Sequence, residues 1–94
     1  MEYLLGIDFG GSSSKATLID RAGRIVCTAS EEYPMYYPRD GWCEQSAEDC
    51  YRACVDNIRA ILQRSGVAAS DIAAMAVDSA THMAVLLDEN DRVI

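Results

Sequence analysis

The sequence is poor in the residues that build several common kinds of site. It has one histidine, one tryptophan, one phenylalanine and two prolines in 94 residues, and its eight basic side chains face fifteen acidic ones. A single histidine excludes a histidine-rich metal cage. A net charge of −7 without a basic cluster repels polyanions, which argues against nucleic acid or an anionic membrane as partner. No apolar run approaches membrane-spanning length, and the amino terminus has neither the basic flank nor the long apolar core of a signal peptide. A cytoplasmic location is the expectation. The four cysteines, Cys27, Cys43, Cys50 and Cys54, include no Cys-x-x-Cys, so buried reduced thiols are expected rather than a disulfide or zinc site. The glycine patterns G-x-x-x-x-G-K-[ST] and G-x-G-x-x-G are both missing. Their absence removes the P-loop and the dinucleotide fingerprint.

What the chain does have is ordinary globular composition, 50% hydrophobic and 24% charged, enough for one small domain with a modest core. Its last residues, Arg92-Val93-Ile94, read as a strand just begun after the polar turn Asp88-Glu89-Asn90-Asp91. The expectation is an amino-terminal piece of something longer.

The most distinctive stretch is Leu4 to Asp20. An apolar strand, Glu2 to Asp8, leads into Gly10-Gly11-Ser12-Ser13-Ser14 and resumes as a second strand over Lys15 to Asp20. Glycines permit close approach and positive φ, and successive N–H groups with hydroxyls form a nest for a phosphate. Asp8, at the strand exit, supplies a carboxylate suited to magnesium, which is held by one or two carboxylates plus phosphate oxygens. A tight hairpin in which Asp8 caps its own turn is the alternative.

The turn Asp20-Arg21-Ala22-Gly23 precedes a third strand, Arg24 to Glu31. From Tyr33 to Gln45 two prolines interrupt an aromatic loop too apolar for a free linker, expected to pack on a neighbouring element, with Trp42 as a packing residue. Ser46 then caps a helix, with Asp49 as the partner of a capping box. Its apolar stripe runs through Ala47, Cys50, Tyr51, Cys54, Val55, Ile58, Ile61 and Leu62, and Gly66 stops it. Ile72 to Val77 reads as a fourth strand and Met83 to Leu87 as a fifth, with the polar cluster Asp78 to His82 between them. The glycine turn joins strand to strand rather than strand to helix, which also sets this chain apart from Rossmann and P-loop units. The order predicts an α/β domain of the ribonuclease-H-like, actin-like ATPase kind: a three-stranded meander, a helix and further strands, as a partial domain.

The run Leu5-Gly6-Ile7-Asp8-Phe9-Gly10-Gly11-Ser12-Ser13-Ser14-Lys15-Ala16 resembles the first phosphate motif of the FGGY carbohydrate kinases, Gly41-Trp42-Cys43-Glu44-Gln45 resembles their Gly-Trp-x-Glu-Gln element, and Ile72 to Asp88 is similar to the segment that brings sugar-contacting residues into the cleft. The resemblance covers all 94 residues. It implies that Gly10, Gly11, Ser12, Ser13 and Lys15 lie against the phosphates of ATP, that Asp8 faces Mg2+, and that Thr81 and His82 contact the sugar. It implies a kinase acting on a ketopentose or related polyol, a homodimer as full-length protein, and residues 1–94 as the first part of domain I. The general base and adenine pocket would lie downstream, leaving no catalytic residue here and the isolated chain inactive. Two departures stand out. Ala80-Thr81-His82-Met83 keeps only the histidine of the Gln-Met-His-Gly found in the xylulokinase-like branch, and Gly11 replaces a common threonine, closer to the L-xylulose kinase branch. Two rival readings remain at this point: a ribonuclease-H-like nuclease using metals on Asp8 and Asp78, and a non-enzymatic nucleotide-binding domain of the actin and chaperone class.

Overall fold

The computed structural model describes residues 2–80 and 83–94. Strands β1 (Tyr3–Phe9), β2 (Ser13–Asp20) and β3 (Ile25–Glu32) form the predicted antiparallel meander. Helix α1 (Ala47–Ser65) crosses over, a short 3-10 turn (Ala69–Asp71) follows, and β4 (Ile72–Ser79) returns parallel to β1, giving the mixed order β3-β2-β1-β4. The predicted bounds shift slightly. In particular β2 begins inside the serine triplet, because Ser13 and Ser14 already pair with Glu32 and Glu31.

Strand alternation divides the sheet into two unlike faces. Leu5 and Ile7 of β1, Ala16 and Leu18 of β2 and Ala29 of β3 are buried on the side covered by α1, where Ile61 meets them. Each large aliphatic member contributes about 1.5–3 kcal/mol by leaving water. Ser46 caps α1 as predicted, its hydroxyl accepting from the Asp49 N–H at 3.3 Å, and Gly66 closes it at φ 71°. The reciprocal half of the capping box is replaced. The Asp49 carboxylate accepts from the Tyr36 hydroxyl at 2.6 Å and so ties the aromatic loop to the helix start.

The predicted helix stripe is rotated. Ala53, Asn57 and Ile61 are the buried positions, while Tyr51 is 70% exposed. The polar Asn57 sits at the centre of the buried face because its amide donates to the Ser14 carbonyl at 2.9 Å. The thiols are less enclosed than expected. Cys43 is exposed and Cys27, Cys50 and Cys54 are half-buried, all four free. The expected fifth strand does not form. Residues 83–86 lie outside any strand, and the chain instead closes a small turn in which Leu87 bridges Val93 and Asp88 accepts from the N–H groups of Asn90 and Arg92. Val85 and Leu86 stay exposed, and the pairing this segment makes among the described residues is the single bridge of Leu87 with Val93.

Beneath the glycine turn two buried polar atoms, Ser14 Oγ and Asn57 Oδ1, have no hydrogen-bond partner among the described residues. Unpaired buried groups cost free energy, whereas a paired one is expensive to break. Ser14→Ala is therefore expected to leave stability unchanged or raise it slightly. Asn57→Ala, which strips the Ser14 carbonyl of its donor and opens a cavity, is expected to lower it by about 1–3 kcal/mol in denaturant unfolding.

Candidate functional site: the glycine-serine turn and the aspartate pair

The register of β1 decides what surrounds the turn. Asp8 pairs with Lys15 across the antiparallel ladder and with Asp78 across the parallel one. Alternation puts all three on the face that α1 does not cover, beside Gly6 and Ala76, around a depression of about 350 Å3. The absence of side-chain bulk at Gly6 and Ala76 leaves this floor low. Asp8 does not cap its own turn. Its partner is the Asp78 carboxyl, and this hydrogen bond, followed by partial desolvation and the neighbouring charge, raises Asp78 above the usual carboxylate range. The two acids form a pair, and among the described residues no group of three or more histidine, cysteine, aspartate or glutamate side chains gathers as a metal cage.

Gly10 to Ser13 form the turn itself. Neither Gly10 nor Gly11 uses the positive φ that glycine permits; the left-handed glycines are Gly23, Gly41 and Gly66. What Gly10 supplies is room. A Cβ there would lie 3.1 Å from the Ser13 carbonyl oxygen, to which the Gly10 N–H donates at 2.9 Å. Gly11 differs again, since a Cβ there meets nothing within 4 Å.

Three residues that sequence reasoning did not assign hold the turn from behind. The Tyr33 hydroxyl donates to the carbonyl of Gly10 and lies 3.0 Å from that of Ser13, and the Tyr33 N–H reaches the Ser12 carbonyl at 3.1 Å. Gln45 Nε2 donates to the Gly11 carbonyl, and Asn57 holds Ser14. Two signals were present in the sequence: Gln45 closes the Gly-Trp-x-Glu-Gln element, and Asn57 is the polar break in an apolar helix face. Tyr33 had none beyond its place at the end of β3.

A second hollow, of about 560 Å3, opens on the helix side of the turn between Tyr33, Gln45, Cys50 and Ser79. Burial pushes the Cys50 thiol up, with the Asp49 charge adding to it, so Cys50 is a neutral thiol there. Trp42 stays 52% exposed and stacks under the Arg39 guanidinium at 5.0 Å, so its packing partner is a surface cation. Thr81 and His82, the expected sugar contacts, lie outside the described residues.

Residues 3–94 match the model of the amino-terminal domain of the FGGY family of carbohydrate kinases. The chain belongs to that family. FGGY relatives include a glycerol kinase of Agrobacterium fabrum, 38% identical over 88 residues, which cover 94% of this chain and 18% of the relative. A xyloylose kinase from Brucella ovis superposes with a TM-score of 0.92 at 36% identity, covering 98% of this chain and 19% of that one. A gluconate kinase from Lactobacillus acidophilus gives 0.89 at 26% identity, over 99% and 18%. The chain thus spans about a fifth of the length of the proteins it matches. Its fold is a partial α/β domain of the actin-like ATPase architecture those sugar kinases share, as the element order predicted. FGGY membership also separates this chain from the nuclease reading, although the Asp8–Asp78 pair that reading required is present.

Desolvation, then the charges of Cys50 and Asp8, raise the Tyr33 phenol, and the hydrogen bond to Asp49 raises Tyr36. A raised phenol stabilises the fold fully below the ordinary value of about 10, and that contribution is lost as pH climbs through the raised value. Spectrophotometric titration is expected to show two of the five tyrosines ionising late. Tyr33→Phe should remove one of them and flatten part of the loss of stability in alkali.

Proposed function

We propose that this chain supplies the phosphate-binding hairpin of an ATP-dependent sugar kinase, with Gly10, Gly11, Ser12, Ser13 and Lys15 toward the nucleotide phosphates and Asp8 toward magnesium. The observation that carries the reading is Gly11. Its φ lies outside the left-handed region and a Cβ would touch nothing, so neither the backbone nor the packing of this chain calls for glycine there. A close-lying ligand does. Family membership supplies the kind of ligand, since carbohydrate kinases transfer a phosphoryl group and so need positioning and charge neutralisation more than covalent chemistry.

Asp8 and its partner Asp78 offer oxygen donors at a strand end, which fits magnesium. When bound, the ion would neutralise phosphate charge. The chain's own part is to hold the phosphates by backbone N–H groups, to leave room for them over Gly11, and to set Lys15 beside Asp8. Residues 1–94 are read as the first part of domain I. Support comes from the open apolar flank of β4, where Met75 and Val77, on the same face of the sheet as Leu5 and Ile7, are each 56% exposed. Among the described residues no helix is long and apolar enough to cross a membrane. The substrate is a small polyhydroxylated molecule, a ketopentose or related polyol, since the relatives carry the names of glycerol, xylulose and gluconate kinases. Thr81 and His82 remain the proposed sugar contacts.

Two experiments test this. The complete gene product, assayed with MgATP against a panel of ketopentoses, glycerol and gluconate, is expected to phosphorylate at least one, while residues 1–94 alone phosphorylate none. Nucleotide binding that no sugar converts to turnover would instead favour the non-enzymatic reading. Gly11→Ala is expected to leave stability within about 1 kcal/mol of wild type, or raise it, because it restricts only the unfolded chain. The same substitution should raise KM for MgATP several-fold, and an unchanged KM would remove the phosphate assignment.

A further inference from the structure

A trans peptide unit is planar, and its carbonyl and the following N–H point to opposite sides. Fixing one carbonyl therefore aims the next amide. In the glycine-serine turn this happens at three consecutive peptide units. Tyr33 Oη holds the Gly10 carbonyl and so aims the Gly11 N–H. Gln45 Nε2 holds the Gly11 carbonyl and so aims the Ser12 N–H. The Tyr33 N–H, 3.1 Å from the Ser12 carbonyl, does the same for the Ser13 amide.

Every carbonyl from Gly10 to Ser14 accepts a donor from this chain, the last two through Gly10 N–H, Tyr33 Oη and Asn57 Nδ2. The N–H groups of Gly11 and Ser12, by contrast, donate to no acceptor among the described residues, and both residues are exposed. One side of the turn is saturated and the other is left free.

We propose that Tyr33 and Gln45 are positioning residues for the nucleotide: by gripping the turn's carbonyls they orient the Gly11 and Ser12 amides as preorganised donors to a phosphate. This rests on the reading of the turn as the phosphate site. Preorganised donors act without reorganisation when charge arrives, whereas a turn free to rotate its peptides must be ordered by the ligand. The phenol has one proton for two carbonyls, Gly10 and Ser13, so it serves both through one shared or alternating bond. Removing that oxygen frees both peptides together.

The test measures steady-state kinetics of the complete gene product with its sugar and MgATP for wild type, Tyr33→Phe, Gln45→Leu and a control, Tyr37→Phe, whose side chain is 72% exposed. Loss of one such hydrogen bond is expected to raise KM for MgATP about three- to tenfold in each turn variant. KM for the sugar should stay at the wild-type value, and the control should match wild type in both. Amide resonances of Gly11 and Ser12 that move on adding MgATP to wild type should move less at the same concentration in the variants. A fall in kcat with both KM values unchanged, or equal rises in the two KM values, would show a merely structural role and overturn the proposal. Should Tyr33→Phe fail to fold, Gln45→Leu carries the same comparison. An active wild type with both variants at its KM for MgATP would sink the positioning role alone, whereas a wild type that neither binds nor uses MgATP would sink the phosphate reading beneath it.

Discussion

The pairing of β1 along both of its edges is the constraint from which the rest of the site follows. One edge takes β2 in antiparallel register and the other takes β4 in parallel register. Because side chains alternate, a slip of one residue between β1 and β2 would send Asp8 or Lys15 to the helix-covered face. The hydrophobic pattern forbids that slip: Leu5, Ile7, Ala16 and Leu18 would have to leave the core at the same time. Apolar burial, which knows nothing of phosphate, thereby fixes where the charged groups stand.

The second layer of control is polar and comes from far along the chain. Tyr33 follows β3, Gln45 ends the aromatic loop, and Asn57 lies mid-helix, yet all three converge on five residues of backbone. The loop between them is held in turn by the antiparallel bridge of Tyr36 with Glu44 and by Tyr36 on Asp49. A short turn rich in glycine and serine has little stiffness of its own, so its shape is imposed by donors from outside it. The FGGY chain spends a buried asparagine and a buried tyrosine on this purpose, at positions where leucine and phenylalanine would fill space without satisfying a carbonyl.

The strands, the helix and its caps were legible because their signals are local: apolar alternation, a serine before a periodic run, a glycine after it. Asp8 and the turn were legible because glycine and hydroxyls seldom follow a buried strand without cause. The grip of Tyr33 was not, since a hydrogen bond across 23 residues leaves no mark in sequence spacing. Residue type alone left close approach and positive φ both open at Gly10 and Gly11, and the structure shows that one glycine answers to a close carbonyl and the other to open space. The fifth strand failed for a complementary reason: Met83 to Leu87 has strand chemistry, but which edge a segment pairs with is set by distant residues and leaves no local pattern, and here Leu87 bridges Val93 instead.

The free edge of β4 has a geometric consequence for the aspartate pair. Of the two outer strands, only β4 lies next to β1, so a strand laid parallel along its free edge would bring its carboxyl end beside Asp78, about 4.8 Å further from Asp8. The row that begins at Lys15 and passes through Asp8 to Asp78 would then gain one further position beside Asp78. Charge at this sheet end is arranged as a line that reaches the edge strand β4 at Asp78, so a group carried on an added neighbour of β4 would stand one strand spacing from the aspartate pair.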